Sequence, residues 1–149
     1  MIPDHRVYLA LGSNVDSVRN YPEAVRLLRK LGDVVAVSPV YETEPVGIPG
    51  AERFLNGAVL LRTDLDPVAL KAVLRAEVEQ ALGRVRPPDG SWEPRTIDVD
   101  IAIWDDMVGE IQGRHVPDPD ILRLLHVARP LADLAPDLVH PEAGRTLSQ

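Results

Sequence analysis

The order of strand-like and helix-like segments constrains the fold of this chain more than any other feature. Short apolar or β-branched runs predict four strands, at 7–11, 33–41, 54–63 and 96–104. Pro39 is expected to interrupt the second strand. Apolar residues at helical spacing predict helices over 17–31 and 66–83, each ended by a glycine. The order β-α-β-β-α-β is that of a ferredoxin-like α+β sandwich. A proline-rich C-terminal extension, with a short helix at 130–134, completes the chain.

Length and charge exclude several classes of protein. The 149 residues suit one domain, 1–149, whose core needs no disulfide or structural metal. The chain has no Cys, which excludes thiolate metal sites and cysteine nucleophiles. A net charge of −7 argues against non-specific nucleic-acid binding, and no apolar run resembles a signal peptide or a membrane span. We therefore expect a cytoplasmic protein without nucleic-acid or membrane partners.

Two carboxylates in the predicted fourth strand are the sharpest chemical feature. Asp98 and Asp100 share one face of the strand, with Cα atoms about 6.5 Å apart. Alternation places the apolar residues on the other face, toward a core: Ile97, Val99, Ile101 and Ile103. Hard oxygen ligands at this spacing favour Mg²⁺ together with substrate phosphates. A solvent-facing polar stripe on a half-exposed strand is the alternative.

Arginines surround this pair in the sequence. Arg84 and Arg86 begin a Pro- and Gly-rich loop over 84–95, and Arg95 ends it. They could form surface ion pairs with the carboxylates, or they could bind phosphate through bidentate hydrogen bonds. Trp92 in the same loop could stack on a planar ring. The residues alone leave these interpretations open.

Five motifs together resemble one known family. They occupy 11–14 (Leu-Gly-Ser-Asn), 41–47 (Tyr-Glu-Thr-Glu-Pro-Val-Gly), 54–56 (Phe-Leu-Asn), 83–86 (Gly-Arg-Val-Arg) and 94–101 (Pro-Arg-Thr-Ile-Asp-Val-Asp-Ile). In this order the chain resembles 6-hydroxymethyl-7,8-dihydropterin pyrophosphokinases from about residue 7 to 141. The resemblance implies a ferredoxin-like fold and a step of folate biosynthesis. By this resemblance, the terminal two phosphates of ATP are expected to pass to the hydroxymethyl group of 6-hydroxymethyl-7,8-dihydropterin. The expected products are AMP and the pterin diphosphate, and two Mg²⁺ ions are implied.

The resemblance also implies roles for individual residues. The catalytic set comprises Arg86, Arg95, Asp98 and Asp100, of which the two aspartates bind the metal ions. The ATP contacts comprise Glu79, Arg84, Arg86, Trp92, Arg95 and Ile101. The pterin pocket comprises Thr43, Pro45, Val46, Phe54, Asn56 and His126. Arg86 and Trp92 belong to a mobile loop that closes over the substrates.

This sequence departs from the family pattern at four positions, which are Ser91, Glu93, Asp118 and Leu124. Asp118 and Leu124 stand where members often carry a His and an Arg that help to bind the phosphates. These departures motivate two alternatives: the same chemistry on a modified pterin, or a nucleotide- or pterin-binding domain with weak turnover. Acidity and only six aromatic residues disfavour an RNA-binding sheet. We expect a monomer whose partners are ATP and hydroxymethyl-dihydropterin.

Overall fold

The computed structural model describes residues 4–44, 52–85, 87–89 and 95–149. Its strands are β1 (His5–Ser13), β2 (Asp33–Val37), β3 (Tyr41–Thr43), β4 (Phe54–Thr63), β5 (Asp98–Trp104), β6 (Gly109–Ile111) and β7 (Arg114–Val116). Its α-helices are α1 (Ser17–Leu31), α2 (Pro67–Val73) and α3 (Leu125–Leu134). A π-helical segment, Leu74–Glu79, continues α2, and a 3₁₀ turn, Pro119–Leu122, precedes α3.

The main sheet has five antiparallel strands in the order β2-β4-β1-β5, and β3 also pairs with β4. Strands β2 and β3 lie one after the other along the same edge of β4. The break between them falls at residues 38–40, which confirms the predicted interruption at Pro39. Ser38 stabilises the break, since its hydroxyl accepts a hydrogen bond from the Ala58 N–H at 2.8 Å.

Helices cover both faces of this sheet, because alternate residues of its strands are apolar on both sides. One face packs against α1, α2 and the π-helical segment, through a core that includes Leu9, Leu28, Leu61, Leu70 and Val99. The other face packs against α3, through a smaller core that includes Tyr8, Leu60, Ile103 and Leu131. The result is a mixed α/β fold with an antiparallel sheet and three helices among the described residues.

A bulge in β5 corrects one prediction. Val99 and Ile101 belong to the core under α1 and α2, as alternation predicts, but Ile103 packs in the core under α3. The pairing with β1 shifts at this point, because Tyr8 lies opposite Ile103 whereas Leu9 lies opposite Ile101. Such an extra residue reverses the alternation beyond it.

The helix boundaries differ in part from those predicted. The N-terminus of α2 is as predicted, because the Asp66 carboxylate accepts a hydrogen bond from the Ala69 N–H at 2.8 Å. The C-terminal helix is longer than the predicted 130–134, since it begins at Leu125 and contains Pro130. The hairpin of β6 and β7 was not predicted, since three-residue strands show too little alternation to recognise. None of the described helices has the length and apolar character needed to cross a membrane.

Candidate active site

A cleft of about 380 Å³ opens beside the N-terminal end of α3, on the same side of the sheet. Residues that are far apart in the sequence meet in it. Eight of the predicted site residues line it: Thr43, Phe54, Asn56, Arg84, Arg95, Asp98, Asp100 and His126. Four others, Arg86, Trp92, Pro45 and Val46, lie outside the described residues, so their roles stay predictions.

The pairing of three strands builds the floor of the cleft. Gly12 of β1 lies opposite Asn56 of β4 on one side and Asp98 of β5 on the other. Because neighbouring strands are about 4.8 Å apart, the Cα atoms of Asn56 and Asp98 are about 10 Å apart. A Cβ atom at Gly12 would lie 3.1 Å from Asn56 Nδ2, so a larger residue at this position would crowd the Asn56 amide. Ala10, opposite Asp100, is the next small residue of the floor.

Asp98 and Asp100 differ in their electrostatic surroundings. Asp98 accepts hydrogen bonds from Arg84 at 2.7 Å and from Arg95 at 3.1 Å. Burial opposes its ionisation, but these two guanidiniums hold the pKa of Asp98 below its usual value. Burial and the adjacent Asp98 carboxylate raise the pKa of Asp100 to about 8. Among the described residues, the positive charge near Asp100 does not offset these two effects.

This donor set fits a magnesium ion that completes its coordination with phosphate oxygens. In the described ranges no group of three or more His, Cys, Asp or Glu side chains could hold a metal ion. The two aspartates offer hard oxygen ligands, and Mg²⁺ is commonly bound by one or two carboxylates plus substrate phosphates. The described lining of the cleft contains five acidic residues and three arginines. A divalent cation would supply the missing charge.

Arg84 and Glu79 connect β5 to the helix behind it. The Arg84 guanidinium, largely buried, donates to Asp98 and lies 3.3 Å from Glu79 Oε1. Glu79 is 1% exposed, and its Oε2 accepts a hydrogen bond from the Val99 N–H at 3.0 Å. Glu79, a predicted ATP contact, is thus absent from the described lining of the main cleft, and it stabilises the strand segment between the two aspartates.

Ser13 and Asn14 hold the start of this strand, a role that the sequence analysis missed. Both side chains are buried, and Asn14 Oδ1 accepts a hydrogen bond from the Arg95 N–H at 2.7 Å. The Ser13 hydroxyl donates to the Thr96 carbonyl. The signal was present in the Gly-Ser-Asn motif at 12–14, whose first two residues end β1, but the motif by itself indicates only the end of a strand and part of the resemblance.

Neutral polar and aromatic side chains line the side of the cleft away from Asp98 and Asp100, with Glu44 and Asp120 in the same lining. The Thr43 hydroxyl donates a hydrogen bond to Asn56 Oδ1, which fixes the amide beside the Phe54 ring. His126 lines the same cleft from the first turn of α3. Burial lowers the pKa of His126, so a neutral, planar ring is present at neutral pH. These groups suit a planar ligand with hydrogen-bonding edges.

A second, smaller cleft of about 50 Å³ lies at the outer edge of β5 and contains Ile101. It shares Asp100 and Arg114 with the main cleft. Arg114 was not predicted as a site residue, because its position depends on the unpredicted β6–β7 hairpin. Its guanidinium lies 3.9 Å from Asp100 Oδ2 and 3.0 Å from Asp118 Oδ2.

Comparisons with known proteins identify the family of this chain. The family model for 7,8-dihydro-6-hydroxymethylpterin-pyrophosphokinase (HPPK) matches residues 8–136. A 2-amino-4-hydroxy-6-hydroxymethyldihydropteridine pyrophosphokinase of Pseudomonas aeruginosa is 41% identical over 97% of this chain and 88% of its own length. The Bacillus subtilis protein of the same name is 39% identical, over 85% of this chain and 76% of its own.

The fold also matches a solved structure. A crystal structure of Plasmodium falciparum HPPK-DHPS superposes with a TM-score of 0.73 at 14% identity. The match covers 98% of this chain and 41% of that one, and at this identity it shows the fold alone. From the family match and the two bacterial relatives, this chain belongs to the 7,8-dihydro-6-hydroxymethylpterin-pyrophosphokinase family.

Proposed function

We propose that this chain transfers the terminal diphosphate of ATP to the hydroxymethyl group of 6-hydroxymethyl-7,8-dihydropterin in folate biosynthesis. The products are AMP and the pterin diphosphate. One observation carries the proposal: a single cleft brings a carboxylate pair and its arginines together with the Asn56 amide and the Phe54 and His126 rings. Family membership supports the same reaction.

The pterin end of the reaction depends on Asn56 and its neighbours. The amide can donate and accept along the edge of a pterin ring, and Thr43 holds it in one orientation. Phe54 and the neutral His126 ring line the same pocket and offer aromatic surface to the flat ring system. About 10 Å separates the Cα atoms of Asn56 and Asp98, so a ligand held at Asn56 would lie close to the carboxylates.

The phosphate end depends on charge. Asp98 and Asp100 would hold two Mg²⁺ ions, which neutralise the ATP phosphates and orient the transferred diphosphate when bound. Arg95 and Arg114 face the cleft and offer guanidiniums to phosphate oxygens. In the transfer, the pterin hydroxyl oxygen bonds to the β-phosphorus and the bond to the α-phosphate oxygen breaks. AMP leaves with that oxygen, and the hydroxyl proton is released.

The finer structural assignments belong to the same proposal. The strand order β2-β4-β1-β5, with α1 and α2 on one face, supports a ferredoxin-like sandwich with a C-terminal extension. We propose a single domain over 1–149 that acts as a cytoplasmic monomer. Arg86 and Trp92 would close over the substrates from the loop between α2 and β5, which excludes water from the reaction.

The test is to incubate the protein with Mg²⁺, ATP and 6-hydroxymethyl-7,8-dihydropterin and to separate the products by chromatography. Equal amounts of AMP and pterin diphosphate are expected. ADP with a pterin monophosphate would overturn the proposed transfer, and binding without any product would identify a domain of weak turnover. A parallel series with modified pterins decides the substrate, since the unmodified compound should give the highest kcat/KM.

A further inference from the structure

Asp118 is a buried carboxylate in the wall of the main cleft that the proposed reaction does not use. Its side chain is 4% exposed, and it lies on the same cleft wall as Asp100 and Arg114. An acidic group in a cleft that receives a polyphosphate would repel the substrate if it acted alone. The contacts of Asp118 therefore decide whether it weakens or strengthens the binding of the polyphosphate.

Both carboxylate oxygens and the backbone of Asp118 are held in place. Oδ2 accepts a hydrogen bond from Arg114 Nη2 at 3.0 Å. Oδ1 accepts one from the Asp120 N–H at 2.9 Å, which caps the 3₁₀ turn. The Asp118 N–H donates to the Ala102 carbonyl at 2.8 Å, so the residue is fixed to β5. Asp118 is thus a rigid acceptor at a set distance from the metal-binding strand.

Arg114 is the group that this acceptor fixes. Its side chain is 47% exposed and begins on a three-residue strand, so it would otherwise sample many rotamers. With Asp118 as its anchor, the guanidinium lies 3.9 Å from Asp100 and borders both clefts. Because Arg114 pairs with Asp118, the negative charge of Asp118 is also neutralised within the cleft wall.

We propose that Asp118 is a positioning residue that holds the Arg114 guanidinium beside Asp100, where it meets the ATP phosphates. The proposal rests on the proposed function, since it concerns nucleotide binding in that reaction. From charge alone, removal of an acidic side chain from the cleft should strengthen the binding of ATP, and the proposal predicts the opposite. Removal of the Asp118 charge weakens nucleotide binding, although the change makes the cleft less negative.

A double-mutant cycle with Asp118→Asn and Arg114→Gln tests this coupling. The ligand is α,β-methylene-ATP with Mg²⁺, measured by calorimetry, because it binds without transfer. Asn keeps an oxygen for the Asp120 N–H, but it replaces the charged oxygen that accepts from Arg114 with an NH2 group, which cannot accept a hydrogen bond. Asp118→Ser, which also keeps a capping oxygen, replaces it if the Asn variant does not fold. The matched control is Glu23→Gln, which removes a carboxylate paired with Arg26 on the exposed face of α1.

Asp118→Asn is expected to weaken binding of the analogue about tenfold, the size expected for loss of a charge-assisted hydrogen bond. In the Arg114→Gln background it should change binding less than about twofold, and pterin binding without nucleotide should not change. Glu23→Gln should match the wild type. Tighter or unchanged binding in Asp118→Asn, additive losses in the double variant, or an equal loss of pterin binding would each overturn the proposal.

The same experiment separates this proposal from the proposed reaction. If the wild type binds the analogue but forms no AMP and pterin diphosphate from ATP and the pterin, the proposed reaction is wrong. The binding cycle still decides the role of Asp118. If the wild type is active and the cycle is additive, only the role of Asp118 is wrong. A wild type that does not bind the analogue contradicts both.

Discussion

The two ends of the cleft are stabilised by different forces. At the phosphate end, defined by Arg84, Arg95, Asp98, Asp100 and Arg114, charged groups contact one another in a chain that continues to Glu79 behind the strand. At the pterin end, defined by Thr43, Phe54, Asn56 and His126, one hydrogen bond between neutral side chains orients a single amide. Among the described residues, the phosphate end is therefore organised by charge, whereas the pterin end is organised by a neutral hydrogen bond.

This difference predicts which kinetic parameter each end controls. Charge neutralisation at the phosphate end acts most strongly on the transition state, so changes there should lower kcat. Hydrogen bonds at the pterin end hold the substrate before and during transfer alike, so changes there should raise KM for the pterin.

The largest effect is expected for Asp100→Ala. Loss of this carboxylate removes a proposed metal ligand, so kcat should fall about 10³-fold or more. The fold should survive, because burial and Asp98 already disfavour the charged form of Asp100. Initial rates and a thermal melt measure the two effects. Activity within tenfold of the wild type would contradict the metal assignment.

Asp98→Ala is the matched comparison within the phosphate end. It should also abolish turnover, but it leaves the buried Arg84 guanidinium with less compensation and should lower the free energy of unfolding by about 3 kcal/mol. A denaturant titration measures this loss. Equal stability in the two alanine variants would show that the contrast between the two carboxylates is wrong.

Asn56→Ala should have the next largest effect, at the opposite end. The loss of the amide should raise KM for the pterin about 10- to 100-fold, since a buried hydrogen bond to a polar ligand is lost. KM for ATP should change little. Thr43→Val is the milder control, because it removes only the donor that orients Asn56. A parallel rise in both KM values would mean that the two ends are not independent.

Asn14→Ala tests whether the hydrogen bond between Asn14 and the Arg95 backbone positions the phosphate end. The variant loses the acceptor for the Arg95 N–H, so kcat/KM for ATP should fall about tenfold. Pterin affinity measured without nucleotide should stay within about twofold of the wild-type value, because the Thr43–Asn56 pair is intact. Steady-state kinetics and calorimetry together measure both quantities. A larger loss in pterin affinity than in ATP use would reverse the assignment.

His126→Phe should have the smallest effect. Because burial lowers the pKa of His126, its ring is neutral at neutral pH, and a neutral aromatic ring replaces it. At pH 7 and at pH 8, the variant's KM for the pterin should stay within about threefold of the wild-type value, measured by initial rates. A tenfold change would assign His126 a polar contact with the substrate.

The two aspartates of the phosphate end were predictable from local sequence, but the arginines that contact them were predictable only in part. Strand alternation places Asp98 and Asp100 on one face without knowledge of the fold. The bulge that turns Ile103 to the opposite face depends on pairing with β1, which no local pattern encodes. Arg114 and Asp118 reach the cleft through a short hairpin and a turn, so only the tertiary structure places them beside Asp100.

The pterin end was accessible only through the resemblance. Thr43 and Asn56 lie on different strands, and their hydrogen bond follows from the pairing of β3 with β4. For Glu79 the resemblance implies a nucleotide contact, which stays a prediction. The structure adds a buried carboxylate that binds Arg84 and the Val99 N–H, which the sequence does not indicate.

The most direct test of the account is ³¹P NMR of the reaction in H₂¹⁸O, with wild type and Asp100→Ala side by side. A direct transfer between the two bound substrates predicts that AMP and pterin diphosphate appear in equal amounts, without ¹⁸O in either product and only with the wild type. Free pyrophosphate carrying ¹⁸O, ADP as the nucleotide product, or equal turnover by Asp100→Ala would contradict a metal-assisted transfer between two substrates held in one cleft.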